Sequence, residues 1–230
     1  MTKYHSLRSF LEQNPPTINR ICYDGALRNA NEFPLYGICV NGAVLFADLP
    51  GYSALARQLS PEECAFMTNH FFAWAEASAI RHYGGIVDKF IGDEVMIIFA
   101  SEFEEKDPLE SALRTAKMIL EADPFAFEPK VGIAPGEFLI AAVGTRQRFD
   151  VSAIGHTVNL AARCVGKAEP AQIKVAITDW QLVEEIFEGE LWEIEEPRSE
   201  EFKNVGKTKV ITVRREGFRI LSLATYHFDL

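Results

Sequence analysis

Ala43-Val44-Leu45-Phe46-Ala47-Asp48-Leu49-Pro50-Gly51-Tyr52-Ser53 is the stretch on which the fold turns. Five apolar residues in a row, closed by an acid, read as a short buried strand. Leu49-Pro50-Gly51-Tyr52 then reads as a turn. Downstream, Ser60-Pro61-Glu62-Glu63 combines a capping Ser, a Pro at the first helical position and a Glu that closes a capping box. That helix is expected to run to about Tyr83 and to stop at Gly84-Gly85. Two strands follow, Ile86 to Ile91 and Glu94 to Phe99, around a Gly92-Asp93 hairpin turn. Pro108 opens a second helix to about Glu121, with an apolar stripe at Leu109, Leu113, Ala116 and Leu120. Strands are expected at Lys130 to Ala134 and Phe138 to Val143, then an irregular stretch from Gly144 to Gly155 and a helix from His156 to about Val165. The last third reads as strand (Ile173 to Thr178), helix (Trp180 to Phe187), strand (Leu191 to Ile194) and strand (Val210 to Arg214). Upstream, residues 1–42 read as an extension in which Ser6 to Gln13 forms a short helix stopped by Asn14-Pro15-Pro16. Residues 43–230 are then the main domain. Strands and helices in this mixed order predict an α+β fold, one sheet covered by helices.

Composition agrees with a folded domain. The chain has 230 residues, 48% of them hydrophobic, and a net charge of -10. That is ample apolar material for a core, which excludes disorder as the main state. The longest apolar runs, such as Val95 to Ala100, fall far short of the ~20 residues of a spanning helix, and the N-terminus lacks the apolar stretch of a signal peptide. Cys22, Cys39, Cys64 and Cys164 are scattered without a CxxC pair, as in a reducing cytosol, so a cytoplasmic location is expected. The acidic balance speaks against nucleic acid or an anionic membrane as partner. Charge is segregated near the end: Glu184 to Glu201 holds nine Glu and one Arg, and Lys203 to Arg219 holds six Lys/Arg and one Glu. The simplest account is a solvated acidic face beside a basic strand.

Asp48 and Asp93 are carboxylates held on rigid backbone at strand ends. Such a pair suits one or two Mg²⁺ or Mn²⁺ ions, which take oxygen ligands and leave positions for phosphate. Either alone is more often turn chemistry. The ordered set is more specific: Phe46-x-Asp48-x-x-Gly51-Tyr52-Ser53, then Gly84-Gly85-x-x-x-Lys89-Phe90-Ile91-Gly92-Asp93-Glu94, then Val131-Gly132-Ile133-Ala134-x-Gly136, then Ile154-Gly155-x-Thr157-Val158-Asn159-x-Ala161-Ala162-Arg163. Over about Ala43 to Val213 this resembles the class III nucleotidyl cyclases, the adenylate and guanylate cyclase catalytic domain. The resemblance implies a ferredoxin-like βαββαβ core and a head-to-tail homodimer with shared active sites. It makes Asp48 and Asp93 the metal aspartates of a two-metal site, with the Leu49 carbonyl as a further ligand. It makes Asn159 and Arg163, four apart on one helix face, the pair that orients the ribose and stabilises charge on the α-phosphate. Lys207 falls near the family's triphosphate lysine, with Lys203 as substitute, and Arg146 or Arg148 is a candidate for the outer phosphates. The implied reaction is attack of the ribose 3′-oxygen on the α-phosphorus with loss of pyrophosphate.

In this family the base is read by a few pocket residues. Lys89, four before Asp93, stands where adenylate cyclases carry Lys and guanylate cyclases Glu, which disfavours GTP. Ser152, seven before Asn159, stands where adenylate cyclases usually have Asp or Thr. Tyr52 replaces the usual Phe and adds bulk and a hydroxyl near the base. His156 stands where Asp or Asn is common and carries no assigned role. Pro124-Phe125-Ala126-Phe127-x-Pro129-Lys130-Val131-Gly132-Ile133-Ala134, Gly144-Thr145 and Ala161-Ala162-Arg163-Cys164 are similar to the stand-alone pyrimidine nucleotide cyclases of bacterial antiphage signalling. That likeness implies UTP, or CTP, as the nucleoside triphosphate substrate and a separate effector that reads the cyclic product. An adenylate cyclase is the first alternative and a catalytically inactive nucleotide-binding module the second. Gly92-Asp93-Glu94 also suggests the GGDEF-type dinucleotide cyclases and polymerase palms, but these lack the Asn159/Arg163 helix.

Overall fold

A computed structural model describes residues 3–14, 37–121, 127–145, 147–177 and 179–216, without the side chains of residues 81 and 82. Arg146, Cys22 and Pro124-Phe125-Ala126 therefore lie outside the described residues. The elements in order are α1 (Leu7–Gln13), β1 (Gly37–Asp48), α2 (Tyr52–Leu55), α3 (Pro61–Tyr83), β2 (Ile86–Ile91), β3 (Glu94–Ala100), α4 (Pro108–Glu121), β4 (Lys130–Thr145), β5 (Arg148–Ile154), α5 (His156–Lys167), β6 (Gln172–Val175), α6 (Trp180–Ile186), β7 (Trp192–Phe202) and β8 (Gly206–Arg215). They build one mixed sheet in the order β2-β3-β1-β4-β6-β8-β7, with β5 paired to the far half of β4. β1, α3, β2, β3, α4 and β4 form the βαββαβ core expected of the fold. β1 lies between β3 and β4, antiparallel to both, which is why its run from Ala43 to Ala47 is continuously apolar.

Helices cover both faces. Ala43, Leu45 and Ala47 of β1 pack with Met67, Phe71 and Ala75 of α3 and Leu113, Ala116 and Ile119 of α4. Val40, Val44 and Phe46 point the other way, toward Leu160, Ala161 and Val165 of α5 and Leu7, Phe10 and Leu11 of α1. The period-2 alternation of strand side chains thus assigns each residue of β1 to one layer. The α3 start is as the sequence implies: Ser60 accepts from the Glu63 N–H at 3.2 Å, and the Glu63 carboxylate accepts from the Ser60 N–H at 2.7 Å. Gly84, in the left-handed region at φ +68°, ends that helix.

Several elements differ from the sequence expectation, each because a neighbour supplies what the local sequence lacks. β1 starts at Gly37, not Ala43, because β4 pairs with it without a break from Asp48↔Lys130 to Gly37↔Ala141. The same ladder carries β4 through Pro135-Gly136-Glu137 as one strand instead of two. The stretch after Gly144 is not irregular: Arg148 to Ile154 is β5, a hairpin partner of β4 from Thr145↔Arg148 to Leu139↔Ile154. β7 runs on to Phe202 through the acidic run because β8 sets bases opposite it, with Glu201↔Lys207 as one pair. Opposite charges facing each other across a ladder favour pairing. α1, read as part of an extension, buries Leu7, Phe10 and Leu11 in the core layer of α5.

Gly132 brings α5 down onto β4. A Cβ there would stand 2.1 Å from the Val165 nitrogen and 2.5 Å from the Ala161 oxygen, both backbone atoms that cannot swing aside. Gly132→Ala is therefore expected to lift α5 and to cost about 1–3 kcal/mol, the usual range for overpacking. Urea unfolding of the variant checks this; an unchanged midpoint would show that the close approach is not needed.

Candidate active site

β1 delivers Asp48 to the sheet end, where its ladder partners are Glu94 on β3 and Lys130 on β4. Lys130 Nζ lies 2.6 Å from Asp48 Oδ2. Asp93, in the two-residue turn between β2 and β3, lies close enough to Asp48 for the two carboxylates to interact. Gly92 supplies the left-handed conformation of that turn at φ +65°. Burial and then the Asp48 charge push the Asp93 carboxyl up to about 6. Burial, with Asp48 next, pushes Glu94 up to about 7, and the Lys130 ammonium opposes the rise. Three acids thus face one lysine, an excess of negative charge that a divalent cation would neutralise. Among the described residues no three His, Cys, Asp or Glu side chains form a complete metal cage. A cation held by Asp48 and Asp93 would draw further oxygens from backbone and phosphate, and the residues fit that mode. Leu49 follows with a buried side chain. Its carbonyl accepts from the Tyr52 N–H at 3.4 Å. Gly51 turns the chain at φ +74°. The Tyr52 hydroxyl meets Thr68 Oγ1 of α3 at 3.4 Å, and its ring packs in the α3 layer.

Lys89 and Ser152, 63 positions apart, meet: Lys89 Nζ donates to Ser152 Oγ. Asp88 completes the group. Its Oδ2 accepts from Ser152 Oγ at 2.7 Å and lies 3.6 Å from Lys89 Nζ. Burial raises the Asp88 pKa above the ordinary carboxylate value, while the Ser152, Lys89 and Ala153 contacts pull it down.

Asn159 and Arg163 share the exposed stripe of α5, opposite Leu160, Ala161, Cys164 and Val165. Neither side chain bonds to the acid cluster or to the Lys89 group, so one chain displays three separate sets of polar residues. His156 is the exposed first residue of α5. Lys207 is exposed near the tip of the β7–β8 hairpin, and Lys203 is exposed in its turn. Lys167 ties that tip to the end of α5, donating to the Glu201 carbonyl at 2.8 Å and lying 4.6 Å over the Phe202 ring. Arg148 is exposed at the start of β5. A cavity of about 430 Å³ between the end of α3 and the start of α4 contains none of these residues. The sequence alone assigns no role to Asp88, Glu94 or Lys130. The lone acid beside Lys89 in an apolar strand was a legible signal for the first. Lys130 emerges only once the β1–β4 register is known.

Residues 39–216 match the family described as the adenylate and guanylate cyclase catalytic domain, and the chain belongs to that family. The terminal-differentiation-specific adenylate cyclase of Dictyostelium discoideum is 29% identical over 153 residues, 63% of this chain but 7% of that protein. Two solved structures share the fold. The adenylyl cyclase CyaB from P. aeruginosa superposes with a TM-score of 0.65 at 21% identity, over 80% of this chain and 100% of that one. The guanylyl cyclase Cya2 superposes with a TM-score of 0.62 at 23% identity, over 81% of this chain and 98% of that one. Among the described residues no helix is long and apolar enough to cross a membrane.

The acid cluster makes stability depend on pH in a stated direction. Ordinary values for Asp93 and Glu94 are 3.8 and 4.5, and the folded chain holds their protons up to about 6 and about 7. The native state therefore binds more protons over that window, and stability falls as pH rises through it. Asp93→Asn is expected to melt higher than the unaltered chain at about pH 8 and nearly equal to it at about pH 5. Mn²⁺ should raise the melting temperature of the unaltered chain more at the higher pH. Thermal scans at the two pH values decide; a melting difference independent of pH would refute the assignment.

Proposed function

We propose that this chain is a pyrimidine nucleotide cyclase, converting UTP, or CTP, to its 3′,5′-cyclic monophosphate with release of pyrophosphate. The observation that carries a cyclase is the display of two incomplete sets on one subunit, the Asp48/Asp93 pair and the solvent-facing Asn159/Arg163 pair. A two-fold dimer would bring the first set of one protomer to the second set of its partner, giving two equivalent sites. The catalytic domain would then run from β1 to β8, with α1 packed into its core.

Asp48, Asp93 and the Leu49 carbonyl would hold the divalent cation. When bound, Mg²⁺ or Mn²⁺ supplies Lewis-acid activation of the ribose 3′-oxygen and neutralises triphosphate charge. Asn159 orients the ribose. Arg163 offers a planar guanidinium to the charge that grows on the α-phosphate as pyrophosphate departs, so its contribution is largest in the transition state. Lys207, or Lys203 as its substitute, steadies the outer phosphates together with Arg146 or Arg148. Catalysis is then mostly positioning and charge stabilisation.

Lys89 and Ser152 read the base, Lys89 donating to a carbonyl of uracil and Ser152 meeting its N–H. Tyr52 narrows the space left for a purine. The product would serve as a cytoplasmic second messenger in antiviral defence, read by a separate effector. An adenylate cyclase is the second reading; Lys89 and the likeness to the Dictyostelium adenylate cyclase favour it, and Tyr52 opposes it.

Incubation of the purified chain with each of the four NTPs and Mn²⁺, with products resolved by mass, tests the substrate. Cyclic UMP or cyclic CMP supports the proposal, cyclic AMP supports the second reading, and no cyclic product refutes both. Asp48→Ala and Asn159→Ala are each expected to lose activity by about 10³-fold or more, as for a lost charge-stabilising group. Mixing the two should restore part of it through hybrid dimers. No restoration would mean that each site is built within one chain.

A further inference from the structure

β2 contains a register shift at Asp88. Val87 pairs with Ile97, and Lys89 pairs with Met96, so Asp88 is an extra residue in the ladder. A bulge of this kind re-aims the side chains beyond it. Directly opposed residues share a face, and Met96 belongs to the layer of α5 whereas Ile97 belongs to the layer of α3. In regular alternation Lys89 would follow Val87 toward α3. The bulge instead puts Lys89 on the side of Ser152 and sends Phe90 to stack on Phe72 of α3 at 4.2 Å. The Asp88 side chain is 0% exposed. It bridges β2 to β5, accepting at Oδ2 from the Ser152 hydroxyl and, at 3.4 Å, from the Ala153 N–H. Oδ1 is buried with no hydrogen-bond partner in the described structure. A buried, half-satisfied carboxylate destabilises a fold, and an apolar residue there would not.

We propose that Asp88 is the positioning residue of the base pocket: its carboxylate takes the single Ser152 proton and holds Lys89 alongside, so the pair meets a base as one donor and one acceptor. This rests on the reading of Lys89 and Ser152 as base contacts. A serine hydroxyl has one proton and two lone pairs. The proton goes to Asp88, one lone pair receives Lys89, and the remaining lone pair can only accept. Lys89 keeps N–H groups that can only donate. The pocket therefore demands a base edge with a donor next to an acceptor, and its polarity is set by a residue that does not touch the base.

The test compares the unaltered chain with Asp88→Asn, Ser152→Ala and the double variant, measuring kcat and KM for UTP, CTP, ATP and GTP with Mn²⁺ and Kd for the non-cyclisable α,β-methylene analogues. An amide donates as well as accepts, so Asp88→Asn releases the Ser152 proton from its fixed direction. The preference for the best nucleotide over the next is expected to fall about tenfold, in line with loss of one hydrogen bond to a charged group. The loss should sit mainly in KM and Kd. The double variant should discriminate no worse than Ser152→Ala, because Asp88 acts through Ser152. Asp88→Ser, read in the same way, serves if the amide variant does not fold. An unchanged four-nucleotide ratio in a folded, active Asp88 variant overturns the inference alone, as do losses that multiply in the double variant. Absence of any cyclic product from the unaltered chain removes the cyclase reading and the inference together.

Discussion

Like charges held close together in a partly dry place are the constraint on which this molecule is built. Asp48, Asp93 and Glu94 crowd the end of a three-strand ladder with one lysine to oppose them. Nothing in folding rewards that arrangement; it raises two carboxyl pKa values and sets the sheet end against itself at neutral pH. The rest of the core is arranged to hold it. β1 is buried between two antiparallel neighbours over its apolar run, so Asp48 cannot relax away. The β2–β3 turn is only two residues long, so Asp93 cannot either. A cation held between these acids would relieve that repulsion.

The second organising feature is the seating of α5. Two glycines of β4 lie beneath it: Gly132 under the backbone of Ala161 and Val165, and Gly136 facing the Thr157 side chain. The helix is thereby pressed onto the sheet along its apolar stripe, and the Asn159/Arg163 stripe is left outward and fixed in direction. Lys167 then binds the end of that helix to the β7–β8 hairpin. The exposed bases of the hairpin are thus tethered to the same helix as Arg163, although they are far away in sequence.

What the sequence disclosed and what it hid follow from the range of each signal. The α3 start was legible because the capping box lies within four consecutive residues. β1 and the β2–β3 hairpin were legible because an unbroken apolar run and a Gly-Asp turn declare themselves locally. β5 was not legible, since Asp150 and Ser152 interrupt its apolar pattern and the burial of Ser152 depends on β2 and β4. The full length of β4 was hidden by Pro135-Gly136, which pairing with β1 overrides. The acidic β7 is largely solvent-facing, as its charge implies; its length was hidden because pairing with β8 sets it, and Glu200 meets its bases on Lys167 of α5 and Lys174 of β6. Among candidate site residues, Asp48 and Asp93 were visible as acids at strand ends and Asn159 and Arg163 as neighbours on one helix face, but their roles, like those of Lys89 and Ser152, came from the resemblance. Asp88 did not stand out, because its importance lies in a bulge that only the register reveals.

α1 carries one more consequence. Leu7, Phe10 and Leu11 are interior residues, Phe10 packs edge-on against Phe103 at 5.0 Å, and Arg8 lies over the Phe149 ring of β5 at 5.4 Å. The chain's leading helix is thus a shim wedged beside the strand that presents Ser152. Pulling it out would uncover apolar surface and loosen that strand, and with it the bridge from Ser152 to Asp88 and Lys89, in one motion.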